Sequence, residues 1–437
     1  VLASPVQACL AALELARDGQ FEQLQQRFPP PLRTMITADA LRAAWESAIG
    51  RLGPVTSVGA PVSEQAPGVT VVKVPVRCER GALTFVASVT AAGELGGLQL
   101  APPEAIEPTA PWEPPAYADR SRFEELDFEL GTGDLAVPAT LSLPRGDGPV
   151  PAVVLLAGSG PMDRDETIGP SKPFKDLAWG LASRGIAVLR FDKVTLAHGE
   201  ALASMPDFTL SDEYLPQAGA AIDVLRSRDA VDPTRIFVAG HSLGGTVAPR
   251  VAAARPEVAG LVILAGGAAP LHWVIVRQLR YLASLDPATA AASAPAIEGL
   301  TRQAELVDSP DLSPATPASE LPFGTPAPYW LDLRGYDAPA AAAALAKPIL
   351  VLQGGRDYQA TVDEDLPRWR SALGDRPDVT IRVFPDDDHL FFTGTGPSSP
   401  QDIMRSGGHV DPALVEQLAG WLASVPVATP GQGRRGG

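Results

Sequence analysis

The strongest constraint on this chain is an alternation that begins near Ala152. Short, almost continuously apolar runs fall at Ala152–Ala157, Ala187–Phe191, Ile236–Ala239, Leu261–Leu264, Ile349–Leu352 and Val379–Phe384. Segments of helical period lie between and after them, at Phe174–Ser183, Leu215–Arg226, Leu243–Ala254, Glu364–Leu373 and Pro412–Ala423. A strand that is apolar along its whole length must be covered on both faces. Strands of that kind alternating with helices predict an α/β fold, with a mostly parallel sheet and helices on both sides. Ahead of it, Phe128–Leu130 and Ala136–Leu143 read as an antiparallel hairpin.

The alternation is interrupted once, between Ala268 and Leu345. That insert is rich in Ala and Pro and carries Trp273, Tyr281, Phe323, Tyr329, Trp330 and Tyr336. Lying between two strands of the sheet, it is expected to form a cap over their C-terminal edge. The N-terminal part has a different pattern. Leu10, Leu13, Leu15, Phe21 and Leu24 recur at helical spacing, as do Leu41, Ala44, Trp45 and Ile49 beyond Pro29-Pro30-Pro31. The period then becomes two, at Val69–Val74 and Leu83–Val89. The expected organisation is a small α+β domain over 1–101, a stiff Pro-rich linker over 102–122, a core over 123–267 and 346–437, and the insert over 268–345.

Charge and composition narrow the function. With 51 acidic and 35 basic residues the net charge is −16, and no dense basic cluster appears; Gly433-Arg434-Arg435 reads as a flexible tail. A nucleic-acid partner or an anionic membrane surface is therefore disfavoured. The longest uncharged apolar stretch, Val258–Val276, contains Gly266, Gly267, Pro270 and His272, and reads as a strand, a turn and a helix start, not a membrane span. The chain begins at Val1, which points to removal of a preceding segment by the cell or in cloning. Cys9 and Cys78 are too few for a disulfide scaffold or a cysteine zinc site. They could form one bridge, which would favour an extracytoplasmic location, or remain free buried thiols. The pattern does not fix an oligomeric state.

Gly240-His241-Ser242-Leu243-Gly244 carries the chemistry. It follows the apolar run Arg235–Ala239 and opens a helix, so Ser242 falls on a sharp strand-to-helix turn with its hydroxyl presented and the helix N-terminus beside it. A serine hydroxyl needs a base to take its proton. Of the five histidines, His241 would point away from its neighbour, His198 precedes the serine, and His272 lies in the insert. His409 reads as a capping turn in Gly407-Gly408-His409-Val410-Asp411. His389, after the last strand, is the expected base, and His409 the rival. Asp357, closing Pro348–Arg356, is the expected acid; Asp386, Asp387 and Asp388 are its rivals, but they lie too close to His389 in sequence to face its ring easily and read as a solvated turn. The order Ser242, Asp357, His389 suits this architecture. The oxyanion donors are expected to be the N–H of Leu243 and that of Ser159, or Gly160 as second choice, in Ala157-Gly158-Ser159-Gly160-Pro161.

From Phe123 onward the chain resembles the α/β-hydrolase superfamily, and most of all bacterial serine esterases that carry a small extra N-terminal domain. The resemblance rests on Gly158–Asp165, Arg190-Phe191-Asp192-Lys193, Gly240–Gly245, Gly354–Gln359 and Asp388-His389. Many relatives continue the Asp-Lys segment with Arg-Gly-x-Gly; here Val194-Thr195-Leu196-Ala197-His198-Gly199 follows. The resemblance implies hydrolysis of small-molecule carboxylic esters, with no cofactor and no metal. Peptidases, acyl-aminopeptidases and thioesterases share the fold, as do non-catalytic binding proteins. Short- to medium-chain acyl groups are expected as substrates, because an aromatic cap would make a bounded apolar pocket.

Overall fold

The computed structural model describes residues 4–33, 36–107, 110–202, 204–285, 287–400, 402–403 and 408–426. Val1, Pro108, Gly407 and Gly433-Arg434-Arg435 lie outside these residues. The chain divides into two compact units: Val1–Ala110 with Ile275–Arg334, and Pro111–Val274 with Gly335–Gly437.

In the first unit five antiparallel strands form one sheet: β1 (Val55–Val58), β2 (Val62–Ala66), β3 (Val69–Cys78), β4 (Gly81–Thr90) and β5 (Leu95–Ala101). The order is β1-β3-β4-β5, with β2 paired to β3 beside β1. The helix Pro5–Arg17 begins at a capping box in which Ser4 and Gln7 satisfy each other's backbone N–H. Its Cys9, Leu13 and Ala16 bury against Val72, Val74, Phe85 and Ala87 of the sheet. Period-two alternation made β3 and β4 legible. Strands β1, β2 and β5 escaped because they are short, polar or glycine-bearing. Cys9 and Cys78 are both buried and both free. Burial pushes the Cys9 thiol up to about 12, so it behaves as an inert apolar side chain. The helix Pro287–Asp308 of the insert packs on the helix Ala38–Leu52 of this unit.

The second unit holds an eight-stranded sheet of order β13-β12-β11-β10-β8-β9-β7-β6. Its strands are β6 (Phe123–Leu130), β7 (Val137–Pro144), β8 (Val150–Leu156), β9 (Ala187–Phe191), β10 (Val231–His241), β11 (Gly260–Leu264), β12 (Ile349–Gly354) and β13 (Val379–Phe384). From β9 through β8 to β13 every pairing is parallel; β7 is antiparallel to both β6 and β9. The apolar runs of the sequence coincide with the parallel strands, and β9, β11 and β12 are buried at every residue. β6 starts earlier than its expected Phe128. Its Glu124, Glu125, Asp127 and Glu129 hide the strand from a hydrophobicity pattern, yet it pairs with β7 in unbroken register from Phe123 to Leu130. As an edge strand it can carry charge on one face.

The Pro-rich segment is not a bare spacer. Trp112 packs edge-on against Trp179, with ring centroids 4.9 Å apart, and its Nε1 donates to Asp176 at 2.8 Å. Tyr117 lies against Gly180. These aromatics, set among prolines, dock the second half of the segment onto the helix Pro173–Ala182. Among the described residues no helix is long and apolar enough to cross a membrane.

Candidate active site

The turn from β10 into the helix Leu243–Ala254 holds Ser242 at φ 53, ψ −120. Positive φ is strained for a residue with a Cβ, and such strain persists only where surrounding structure over-determines it. Here the neighbours leave no alternative. A Cβ on Gly244 would lie 2.1 Å from the Leu156 carbonyl oxygen, and one on Gly240 2.0 Å from that of Gly244. The Ser242 N–H donates to the Leu264 carbonyl at 2.9 Å, tying the turn to β11. Leu243 is the first residue of the helix, so its N–H has no partner in the preceding turn of that helix.

Asp357 follows β12 and His389 follows β13, so both stand at the sheet end where β10 delivers Ser242. His389 Nδ1 lies 2.8 Å from Asp357 Oδ2, and both side chains are buried. Three further hydrogen bonds fix the carboxylate: Oδ1 accepts from Gln359 N at 2.7 Å and Ala360 N at 3.0 Å, and Oδ2 from Gln353 Nε2 at 3.0 Å. With Nδ1–H committed to Asp357, Nε2 of His389 carries the lone pair.

The other histidines have structural partners. His409 Nδ1 is 3.1 Å from both oxygens of Asp176, which also accepts from Val410 N and Trp112 Nε1. His198 Nε2 meets the Ala136 carbonyl at 2.6 Å. His241 turns to Glu166: Nδ1 lies 2.9 Å from Glu166 Oε1, and Nε2 lies 2.9 Å from the His389 carbonyl oxygen. Both ring nitrogens face acceptors, which only the doubly protonated ring satisfies. Burial opposes that charge, but the Glu166 carboxylate and its hydrogen bond outweigh it and hold the His241 pKa above the ordinary histidine value. The residue before the serine is therefore the strut under the backbone of His389.

The aspartates before His389 are not a solvated turn. Asp386 is exposed, but Asp387 and Asp388 are buried, at 1% and 4% exposure. Asp388 Oδ1 accepts from Leu390 N at 2.9 Å and Phe392 N at 3.1 Å, closing the loop that carries His389. Asp387 Oδ1 accepts from Thr393 Oγ1 at 3.0 Å, while its Oδ2 is buried without a partner. Burial, and then the charge of Asp411, push the Asp387 pKa up to about 6. A run of acids reads as solvated in sequence because the loop N–H groups that absorb it are not yet placed.

Gly158 abuts Ser242: a Cβ there would lie 3.2 Å from the Ser242 Cβ. Ser159 and Gly160 follow it, both exposed, with Gly160 at φ 84. The quoted motif residues around this loop are its anchors. Arg164 binds Asp192 through Nε at 3.1 Å, Arg190 binds Asp165 at 2.9 Å and Glu125 at 2.8 Å, and Asp163 accepts from Thr167 N at 2.7 Å. Glu166, with φ 53, accepts from Gly158 N at 2.8 Å through the same oxygen that meets His241. Glu166, Gln353 and Tyr214 were given no role by sequence reasoning. The available signal was an acid inside the Gly-rich loop, and a glutamine ending an otherwise apolar strand.

The alpha/beta hydrolase family profile matches residues 153–405. Esterase EstD of Thermotoga maritima is 36% identical over 347 residues, spanning 79% of this chain and 78% of that protein. The 2,6-dihydropseudooxynicotine hydrolase of Paenarthrobacter nicotinovorans is 27% identical over 164 residues, 36% of this chain and 41% of its own. Among solved structures, the Pyrococcus furiosus esterase covers 72% of this chain and 98% of its own, at 18% identity and a TM-score of 0.43. This chain belongs to the alpha/beta hydrolase family.

Proposed function

We propose that the protein is a serine carboxylesterase acting on small esters with short to medium acyl chains, through an acyl-enzyme. The observation that carries the mechanism is the buried Asp357–His389 hydrogen bond of 2.8 Å, at the sheet end that also presents the strained Ser242 turn. The 36% identity to Esterase EstD supports the ester as substrate.

In this reading Ser242 Oγ attacks the ester carbonyl carbon as its proton passes to His389 Nε2. Asp357 keeps Nδ1 protonated and stabilises the imidazolium. The carbonyl oxygen, now an anion, is held by the N–H groups of Leu243 and Ser159, with Gly160 the alternative to Ser159. Collapse expels the alcohol, which takes the proton from His389. A water, deprotonated by His389, then attacks the acyl carbon, and Ser242 leaves with the proton returned. The acyl-length preference rests on the aromatic content of 268–345; Trp330 itself is buried at 1% exposure and packs that segment.

The test is hydrolysis of p-nitrophenyl esters of increasing chain length beside an amino-acyl anilide, in wild type and Ser242→Ala. Wild type should cleave the esters, peak at short to medium chains and turn over the anilide poorly, and Ser242→Ala should be inactive. Full activity in clean Ser242→Ala protein overturns the mechanism. Long-chain triglyceride emulsions as best substrates overturn the chain-length reading, and a preferred anilide makes the enzyme a peptidase.

A further inference from the structure

The motif Arg190-Phe191-Asp192-Lys193 ends in a lysine to which the reaction above gives no part. Lys193 is 2% exposed. Burying an ammonium is costly unless every proton finds an acceptor. Its Nζ donates to the Gly158 carbonyl at 2.8 Å and to Tyr214 Oη at 3.0 Å, and pairs with Glu213 Oε1 at 2.7 Å. Tyr214 is also buried, and its Oη lies 2.9 Å from the Ala157 carbonyl oxygen and 3.0 Å from that of Gly158. With Glu166 on the Gly158 N–H, the polar backbone groups on both sides of Gly158 are held by buried side chains.

A trans peptide is planar, with its C=O and N–H pointing in opposite directions. Among the described residues no peptide bond is cis. Whatever fixes the Gly158 carbonyl therefore fixes the Ser159 N–H, which is aimed away from Lys193 and Tyr214. Ser159 lies on the exposed side of the loop, beside the glycine that abuts Ser242. Among the described residues this N–H meets no backbone acceptor.

We infer that Lys193 and Tyr214 are positioning residues for the oxyanion hole: they lock the Gly158–Ser159 peptide so that the Ser159 N–H is pre-aimed at the developing anion. The cation has a second effect. Bonding to the Gly158 carbonyl polarises the peptide and makes its N–H a stronger donor. The inference rests on the serine-esterase reading and adds to it a fixed donor.

The test compares wild type, Tyr214→Phe and the double variant Lys193→Met/Glu213→Gln, which avoids leaving Glu213 buried and unpaired. Active sites are counted by labelling to completion with a fluorophosphonate, and kcat and KM for a p-nitrophenyl ester are expressed per labelled site. Inhibition by an aryl trifluoromethyl ketone, whose serine adduct carries an oxyanion, is measured in parallel. Loss of a whole oxyanion donor costs about 10²–10³-fold in kcat, so a mis-aimed one should cost about 10–100-fold in the double variant and about 3–10-fold in Tyr214→Phe. KM should stay within about two-fold, and ketone affinity should fall in step with kcat/KM. Unchanged kcat per labelled site and unchanged ketone affinity, with only fewer sites or a lower Tm, would show a merely structural role and overturn the inference. If the double variant yields no labelled sites, Tyr214→Phe decides by the same criteria. If wild type is not labelled at Ser242, the esterase reading itself has failed, and the inference with it.

Discussion

The two sheets of this molecule bury very different things. The antiparallel sheet over residues 55–101 has an almost wholly apolar interior, and the buried charge on it is Lys73, paired with Glu64 at 2.8 Å. The eight-stranded sheet buries Glu166, Asp176, Arg190, Lys193, Glu213, His241, Asp357, Asp365, Asp387, Asp388 and His389. Buried charge is expensive, and replacing a buried ion pair with apolar packing is often neutral or stabilising. A layer of it at one end of a sheet marks where rigid, pre-aimed polar groups are needed for something other than stability. The first sheet is built to hold a shape, and the second to hold dipoles and protons at fixed points.

The comparison predicts opposite signatures for mutations in the two regions. His389→Ala should lower kcat/KM by at least about 10³–10⁴-fold, whereas His409→Ala should leave activity within a few-fold and show itself in a lower Tm, because Asp176 loses a partner. Equal activity losses in the two would mean that the base is misassigned. In the first unit, Leu13→Ala, on the helix Pro5–Arg17 that covers the antiparallel sheet, removes a side chain that is 1% exposed and should cost about 2–5 kcal/mol of that region's stability by denaturant titration. Its kcat per phosphonate-labelled site should match wild type, and a large drop there would erase the division between the regions.

A smaller effect concerns the polar layer's own cost. The folded-state pKa of Asp387, pushed up to about 6, lies above its unfolded value. The folded protein therefore binds this proton more tightly, and stability falls as pH rises from about 4 to about 6. Asp387→Asn keeps the acceptor for Thr393 and removes the buried charge. It should raise Tm at pH 8, with the gain shrinking toward pH 5. A gain independent of pH would mean that the buried charge is not its source, and a loss at pH 8 would mean that a partner stabilises the carboxylate.

What was legible in the sequence follows the same division. Parallel strands announce themselves where burial on both faces demands continuous apolar residues, and β9, buried at every residue, has the bounds that pattern implies. The Ser242 turn was legible because its constraint is local: glycines at 240 and 244 are forced by backbone approaches near 2 Å. That Asp357 and His389 would meet could be expected from their places after β12 and β13. The roles of Glu166, Lys193 and Tyr214 were not legible, because His241 is distant in the chain from Glu166, and Gly158 from Lys193 and Tyr214, and their burial is set by tertiary packing. The aspartates at 387 and 388 misled for the same reason. The grouping of Ile275–Arg334 with the N-terminal residues left no trace in composition.

The central claim is that Ser242 is the nucleophile served by this polar layer. The most direct measurement is peptide mapping by mass spectrometry after treatment with a fluorophosphonate, alongside loss of ester hydrolysis. The account predicts one adduct per chain, on the peptide and side chain of Ser242, appearing in step with the loss of activity. An adduct on another residue, or full activity in protein labelled at Ser242, would contradict it.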